Sequence, residues 1–403
     1  MKLDTTKLGL VKYKFSSFQL VINNKTKHTV PNSLLLGMSI IEDYDNFIFP
    51  YFEITVAVPN AIYRQMTKNN RKIKAVFTLQ KGKSKEALSV DTTKKITFKN
   101  ALKGTYYVFM DDTTPDLTEA EQKQIEKSDN QYGQLTTVRL LLYNYSFYKK
   151  YDLVVNTVLE NVSLAEVLTY LLNTCGITKA LLSPPSNYKK KTQFILTPIP
   201  LCDQLDRICN EYKIHNKGTL VFFGVDRLYL IERQAKCTGY VTNEYKITYV
   251  VTSSNFQGTR QTGGCYTSSS GKYNVVNLAD IVFKNTTEYT SKTTGTNAVY
   301  VNSDGKITKT NKKTTKRTKV VVQKNSNHAS YLKQAVKESK RVLTATFKDV
   351  DFNMFRPNKQ FIVTLDGTGY KKYNGKYRLS KVAHTFTKEG DYYTISTVAE
   401  LKG

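Results

Sequence analysis

Long apolar runs, cysteine, histidine and acidic residues are all scarce in this 403-residue sequence, and tryptophan is absent. No stretch reaches the roughly eighteen consecutive apolar residues that a membrane-crossing helix needs, so a transmembrane helix is excluded. The segment from Met1 to Ser17 carries charges inside its only short apolar stretch and has no small-residue cleavage site. A secretory signal is therefore not expected. The five cysteines (Cys175, Cys202, Cys209, Cys237 and Cys265) are odd in number and far apart, and only four histidines accompany them. That spacing disfavours a disulfide framework, and reduced thiols are the expectation. The sequence also has no G-x-G-x-x-G between a strand and a helix, no Walker loop and no H-E-x-x-H. Gly263-Gly264 lacks the Lys-Ser/Thr of a phosphate cradle, so no cofactor and no metal are expected.

What is present points to strands. There are 28 tyrosines and 19 phenylalanines, and threonine and valine are frequent, a bias that suits a pleated sheet. Forty per cent hydrophobic residues make the chain globular. Its length suggests two or three domains at about 150 residues each. Sixty Lys+Arg against thirty-three Asp+Glu leave a net charge of +27, which bears on partners rather than on fold.

Residues 1–150 read as a run of short strands. Phe18–Ile22 and Ser33–Ile40 are apolar runs, and Phe52–Val58 alternates before Pro59-Asn60. Ile73–Leu79, Thr105–Met110 and Leu135–Phe147 add three more, with a polar helix or loop from Asp116 to Lys127. Such spacing suggests a barrel or sandwich. The pattern changes at Tyr151. Leu164, Leu168, Leu171, Leu172 and Cys175 share a helical face, Ser163 and Glu166 form a capping box, and Gly176 ends the helix. A second helix is expected from Pro200 to Tyr212, then a hairpin from Thr219 to Glu232 turning at Gly224-Val225-Asp226, so that 151–235 form a compact α/β unit. In the third unit, 236–403, a Thr/Lys-rich region at 252–318 reads mainly as a long loop with some strand. A helix is expected from His328 to Leu343, capped by Asn327. Three strands follow, Phe361–Asp366, Lys376–Phe386 and Asp391–Leu401, with turns at Asn374-Gly375 and Glu389-Gly390.

Few residues suggest chemistry. Cys202 and Cys209 share a helix face near His215, but two small apolar side chains in a core explain them better than a metal does. His384, in phase with Val382 and Phe386, reads as a buried, hydrogen-bonded histidine. The acids Glu42, Asp43 and Asp45 alternate faces and fit a solvated loop or a partner-facing ion patch better than a catalytic cluster. Lys189, Lys190 and Lys191, with Lys312, Lys313, Lys316 and Arg317 in the Lys306–Lys319 stretch, are candidate partner contacts. Their positive charge is dispersed along the chain rather than gathered into one nucleic-acid face. No residue is assigned a catalytic role.

Three stretches in order resemble the hub proteins of phage tails and related contractile injection systems, the late-control gene D type. Ser39–Asp45 with Phe49–Ile54 and Val56–Pro59 looks like their first barrel. Asn161–Leu172, Pro184–Asn187 and Leu201–Tyr212 resemble their middle domain. Tyr373–Leu379, Val382, His384, Phe386, Gly390 and the strand to Leu401 resemble their C-terminal hairpin. The resemblance implies an α+β, mainly antiparallel β chain with two tube-like β-barrel domains and a small α/β domain between them. It implies a homotrimer without enzymatic activity in the virion tail baseplate, joining the sixfold tail tube to the threefold central spike during host cell entry. The tail tube protein, the central spike protein and a tape-measure protein are the implied partners. Nucleic acid at most passes through the ring, and the chain does not insert into a membrane. The rival readings are a basic single-stranded nucleic-acid-binding protein and a tail-associated peptidoglycan hydrolase, which would need two converging carboxylates.

Overall fold

A computed structural model describes residues 10–45, 49–84, 96–111, 117, 119–233, 242–250, 263–268, 273–284, 298–302, 307–308, 317–321, 342–366 and 371–403. The N-terminal third runs β1 (Leu10–Ile22), β2 (Thr26–Thr29), β3 (Leu35–Asp43), β4 (Tyr51–Pro59), α1 (Asn60–Lys68), β5 (Ile73–Ser84), β6 (Phe98–Asp111), α2 (Glu119–Tyr132), β7 (Leu135–Asn144) and α3 (Tyr145–Tyr148). The middle third holds β8 (Thr157–Val162), α4 (Leu164–Thr174), β9 (Ala180–Leu182), β10 (Lys191–Leu196), α5 (Leu201–Asp206), β11 (Thr219–Phe223) and β12 (Leu228–Glu232). The last third begins with β13 (Thr242–Val250), β14 (Gly263–Ser268), β15 (Tyr273–Lys284), β16 (Ala298–Asn302), β17 (Ile307–Thr308) and β18 (Arg317–Val321). It closes with β19 (Val342–Lys348), β20 (Lys359–Asp366), β21 (Gly375–Glu389) and β22 (Tyr392–Lys402).

Fourteen strands join one sheet that closes on itself twice. The first ring is an eight-stranded barrel in the order β1-β5-β6-β7-β4-β3-β21-β22, closed where Tyr13 pairs with Tyr393. The second ring runs β21-β20-β13-β14-β15-β19-β22. All pairings in both rings are antiparallel except that of β13 with β20. The rings share the β21–β22 hairpin, and different parts of it serve each. Residues 381–387 of β21 pair with β3, whereas 375–378 pair with β20. Residue 393 of β22 pairs with β1, whereas 396–402 pair with β19. Gly390 (φ 60°) turns the hairpin, as the Glu389-Gly390 signal predicts.

Alternation sets the core. Leu35, Met38 and Ile40 of β3 point inward, as do Phe52, Ile54 and Val56 of β4 and Ile395, Ala399 and Leu401 of β22. Phe77 stacks on Tyr106 at 4.6 Å and meets Phe15, Phe18 and Phe52 inside the first barrel. Closure leaves few free edges, which suits a chain this rich in strand-forming residues.

The middle unit has its own core, built on Leu164, Val167, Leu168 and Leu171 of α4 packed against Phe194, Leu205 and Ile208. The expected capping box forms. The Ser163 amide donates to Glu166 Oε2 at 2.7 Å, and the Glu166 amide donates to Ser163 Oγ at 3.3 Å. Gly176 (φ 66°) follows the helix. The second helix is α-helical over α5 and widens to a π-helical turn over Arg207–Glu211.

Three expectations change. Val342 and Leu343 open β19 rather than end a helix, and residues 322–341 lie outside the described residues. The Thr/Lys-rich region contributes β14 and β15 to the second ring and β16–β18 to a small antiparallel sheet, so its described parts are strands and not loop. Asn144 ends β7 early, its side chain accepting from the Ser146 and Phe147 amides and starting α3.

Candidate functional site

The three thirds of the chain meet at one buried junction built on Glu42, Tyr44 and Asp45. Glu42 continues the inward row of Met38 and Ile40, so the alternation carries a carboxylate into the core, where it is 1% exposed. Arg356, from the segment between β19 and β20, meets it at 3.3 Å. The Tyr44 hydroxyl donates to the same oxygen at 2.9 Å, and the Val225 amide, in the β11–β12 turn, donates to the other at 3.4 Å. Burial pushes the Glu42 carboxyl above its ordinary value, while Arg356, Tyr44 and Val225 pull it back. Burial also works against the charge on Arg356, but Glu42 and then Asp226 outweigh it and hold the guanidinium protonated. The Tyr44 ring meets Phe222 edge-on at 4.8 Å, which seats the middle hairpin against the first barrel.

Asp45 forms a second, shallower node. Arg378 Nη1 lies 2.7 Å from Oδ1, and the Lys402 Nζ and Ser380 Oγ donate to Oδ2, each at 2.6 Å. Arg233, just after β12, approaches at 3.5 Å. Burial alone would raise the Asp45 carboxyl, but Arg378, Lys402 and Ser380 hold it well below the usual carboxylate range. Asp43 is half-exposed and accepts the Asp45 amide at 3.2 Å. The expectation of a partner-facing acid patch is thus corrected for Glu42, which faces inward, and for Asp45, whose oxygens are taken by cations of the same chain.

The other sequence candidates are dispersed. Lys189 and Lys190 are exposed on the linker before β10, and Lys191 begins that strand. Arg317 begins β18, and Lys312, Lys313 and Lys316 lie outside the described residues. Cys209 is buried, and burial drives its thiol well above the ordinary value. His215 bonds instead to Ser183 Oγ at 3.0 Å and Thr219 Oγ1 at 2.8 Å, tying the segment after β9 to the start of β11. No cluster of three or more metal-ligating groups occurs among the described residues. His384 is fully buried, bonds Thr397 Oγ1 at 2.9 Å and sits edge-on to Phe352 and Phe355. Burial and nearby Arg356 lower its pKa to about 3.

Arg356, Val225, Arg233, Arg378 and Lys402 were not legible as site residues. Glu42 carried a signal, being in phase with Met38 and Ile40; Val225 and Arg356, which bind it from more than 180 positions away, carried none.

Two β-rings share one hairpin, and the Glu42–Arg356 ion pair is buried where the three thirds of the chain meet. Residues 9–403 match the family described as Bacteriophage PBS1 gene 109 protein, and the chain belongs to that family. The fold is shared with the tail protein from Neisseria meningitidis MC58, at 11% identity and a TM-score of 0.50, covering 97% of this chain and 96% of that one. The chain is also similar to the 43 kDa tail protein of prophage MuSo2 from Shewanella oneidensis (8% identity, TM-score 0.49, covering 98% and 96%). An E. coli component of the type VI secretion system is more distant (8% identity, TM-score 0.41, covering 96% and 76%). No curated protein matches the sequence. The resemblance to tail hub proteins thus agrees with the family and with the fold.

Proposed function

We propose that this chain is the structural hub of a phage tail baseplate. The observation that carries the reading is the pair of β-rings fused through one hairpin. Three copies would place six rings around an axis, matching a sixfold tube on one side and a threefold spike on the other. Family membership and the tail-protein fold support this role. The partners are then the tail tube and central spike proteins, with a tape-measure protein inside the conduit, and nucleic acid only passes through. The protein acts by shape and closure. Its singled-out carboxylates serve that end, since Glu42 and Asp45 are held by cations of the same chain rather than facing a cleft.

Gold-labelled antibody against the chain, applied to intact and tail-disrupted virions, tests the location. Label at the distal end of the tail tube is expected. Label on the capsid, or protein missing from purified virions, would contradict the proposal.

A further inference from the structure

We propose that the outer wall of the first barrel carries a docking face for an acidic polypeptide segment of a partner protein, presented by a belt of tyrosine hydroxyls and lysine ammonium groups. Register builds the belt. Tyr51 of β4 pairs with Tyr143 of β7, Tyr143 with Tyr107 of β6, and Tyr107 with Lys74 of β5, so one cross-strand row holds three tyrosines and a lysine. The turn into α3, fixed by the Asn144 cap, lays Tyr145 and Tyr148 back over that row. Tyr148 then reaches Tyr151 at 5.8 Å, which extends the belt toward the middle unit.

The rings occupy one another's faces. Tyr107 stacks on Tyr148 at 5.3 Å and on Tyr145 at 6.3 Å, and Phe109 meets Tyr143 edge-on at 5.5 Å. Lys74 Nζ lies 4.7 Å over the Tyr145 ring, and Lys149 Nζ lies 5.7 Å over Tyr107. What remains for a ligand is the ring edges, the hydroxyls and the ammonium groups. Among the described residues, the hydroxyls of Tyr51, Tyr143, Tyr145, Tyr148 and Tyr151 have no hydrogen-bond partner, and none of them is a buried unpartnered atom. Burial, then neighbouring phenols, raise the pKa values of Tyr143 and Tyr148, so both stay protonated donors.

The rim selects the ligand. Arg71, Lys72 and Lys149 are exposed beside the belt; of the nearby acids, Glu53 and Asp111 are held by Arg139 at 3.3 and 3.6 Å, and the exposed Asp152 lies at the Tyr148–Tyr151 end. Hydroxyl and ammonium donors call for carboxylates, which form strong charge-assisted bonds with both. A second copy of a chain with net charge +27 would bring like charges together. Nucleobases stack on open ring faces, and Tyr145 and Tyr148 already stack on Tyr107. The inference does not depend on the hub assignment, because the belt is a feature of one chain.

The test titrates the full-length protein with fluorescent poly-L-glutamate and, separately, with an oligothymidylate of equal charge at the same ionic strength. Wild type is expected to bind poly-glutamate more tightly. The variant Tyr143→Phe/Tyr145→Phe/Tyr148→Phe keeps the rings and removes three donors, and should lose about tenfold or more in affinity. A Lys179→Ser/Lys217→Ser control, at exposed lysines of the middle unit, should change it by less than about twofold. If the triple variant loses its near-ultraviolet circular dichroism, Tyr145→Phe alone replaces it, with a loss of about threefold expected. The proposal is overturned if wild type prefers the oligothymidylate, if the tyrosine variants bind poly-glutamate as well as wild type, or if the lysine control loses as much as they do.

Discussion

Glu42 shows how a single polar residue in an apolar row organises this molecule. Its carboxylate, the Arg356 guanidinium and the Tyr44 hydroxyl are all buried, so each is costly to leave without the others. Arg356→Met should destabilise the protein by about 3–5 kcal/mol, because it strands Glu42. Glu42→Leu combined with Arg356→Met should recover much of that loss, and a double-mutant cycle from denaturant midpoints checks it. Asp45 behaves differently with pH. Its folded pKa is depressed, so its contribution is present above the unfolded value near 3.8 and is lost as pH falls below it. Asp45→Asn should therefore cost about 2 kcal/mol near neutrality, with the gap to wild type narrowing progressively under acid. His384 titrates in a higher window. Its folded pKa of about 3 lies below the ordinary 6.5, so neutral histidine stabilises the fold above 6.5, and that advantage fades as pH falls from 6.5 towards 3. His384→Gln should flatten this part of the acid limb in thermal melts recorded across that range. Alternation alone gives the inward phase of His384; Glu42 shares such a phase with Met38 and Ile40, yet the acids beside it suggest a solvated loop or a partner-facing patch. The cations that hold Glu42 and Asp45 were not legible, since Arg356, Arg378 and Lys402 come from distant segments whose local pattern says nothing about where they end up.

Strand, helix and turn chemistry were readable wherever local forces decide. The Ser163–Glu166 box, Gly176, the β11–β12 hairpin and the Gly390 turn all follow from residues a few positions apart. The Thr/Lys-rich region reads mainly as loop because threonine, asparagine and lysine suit one, whereas its strands β14 and β15 are fixed by pairing with distant β13 and β19. The same holds for the shared hairpin. Its existence is local, but its role in both rings depends on registers with β1, β3, β19 and β20. Gly390 tests the hairpin directly. Nothing lies within 4 Å of a Cβ added there, so the cost of Gly390→Ala is purely that of a left-handed backbone. It should lower stability by about 1 kcal/mol, and Gly390→Asn by less, read from thermal midpoints.

At the scale of the whole molecule, the two rings are one construction, because the chain returns to its beginning. The last strand closes the barrel that the first strand starts, and the Glu42 and Asp45 nodes lock the middle unit between them. A rigid pair of barrels of this kind is suited to repetition around an axis. The native mass of the purified protein, measured by light scattering at low and high salt and followed by imaging of its particles, tests the hub assignment most directly. The account predicts three chains per particle, insensitive to salt, with six barrels around an open centre. A particle with any other number of chains, or one that forms no ring when mixed with its tail tube and spike proteins, would contradict it.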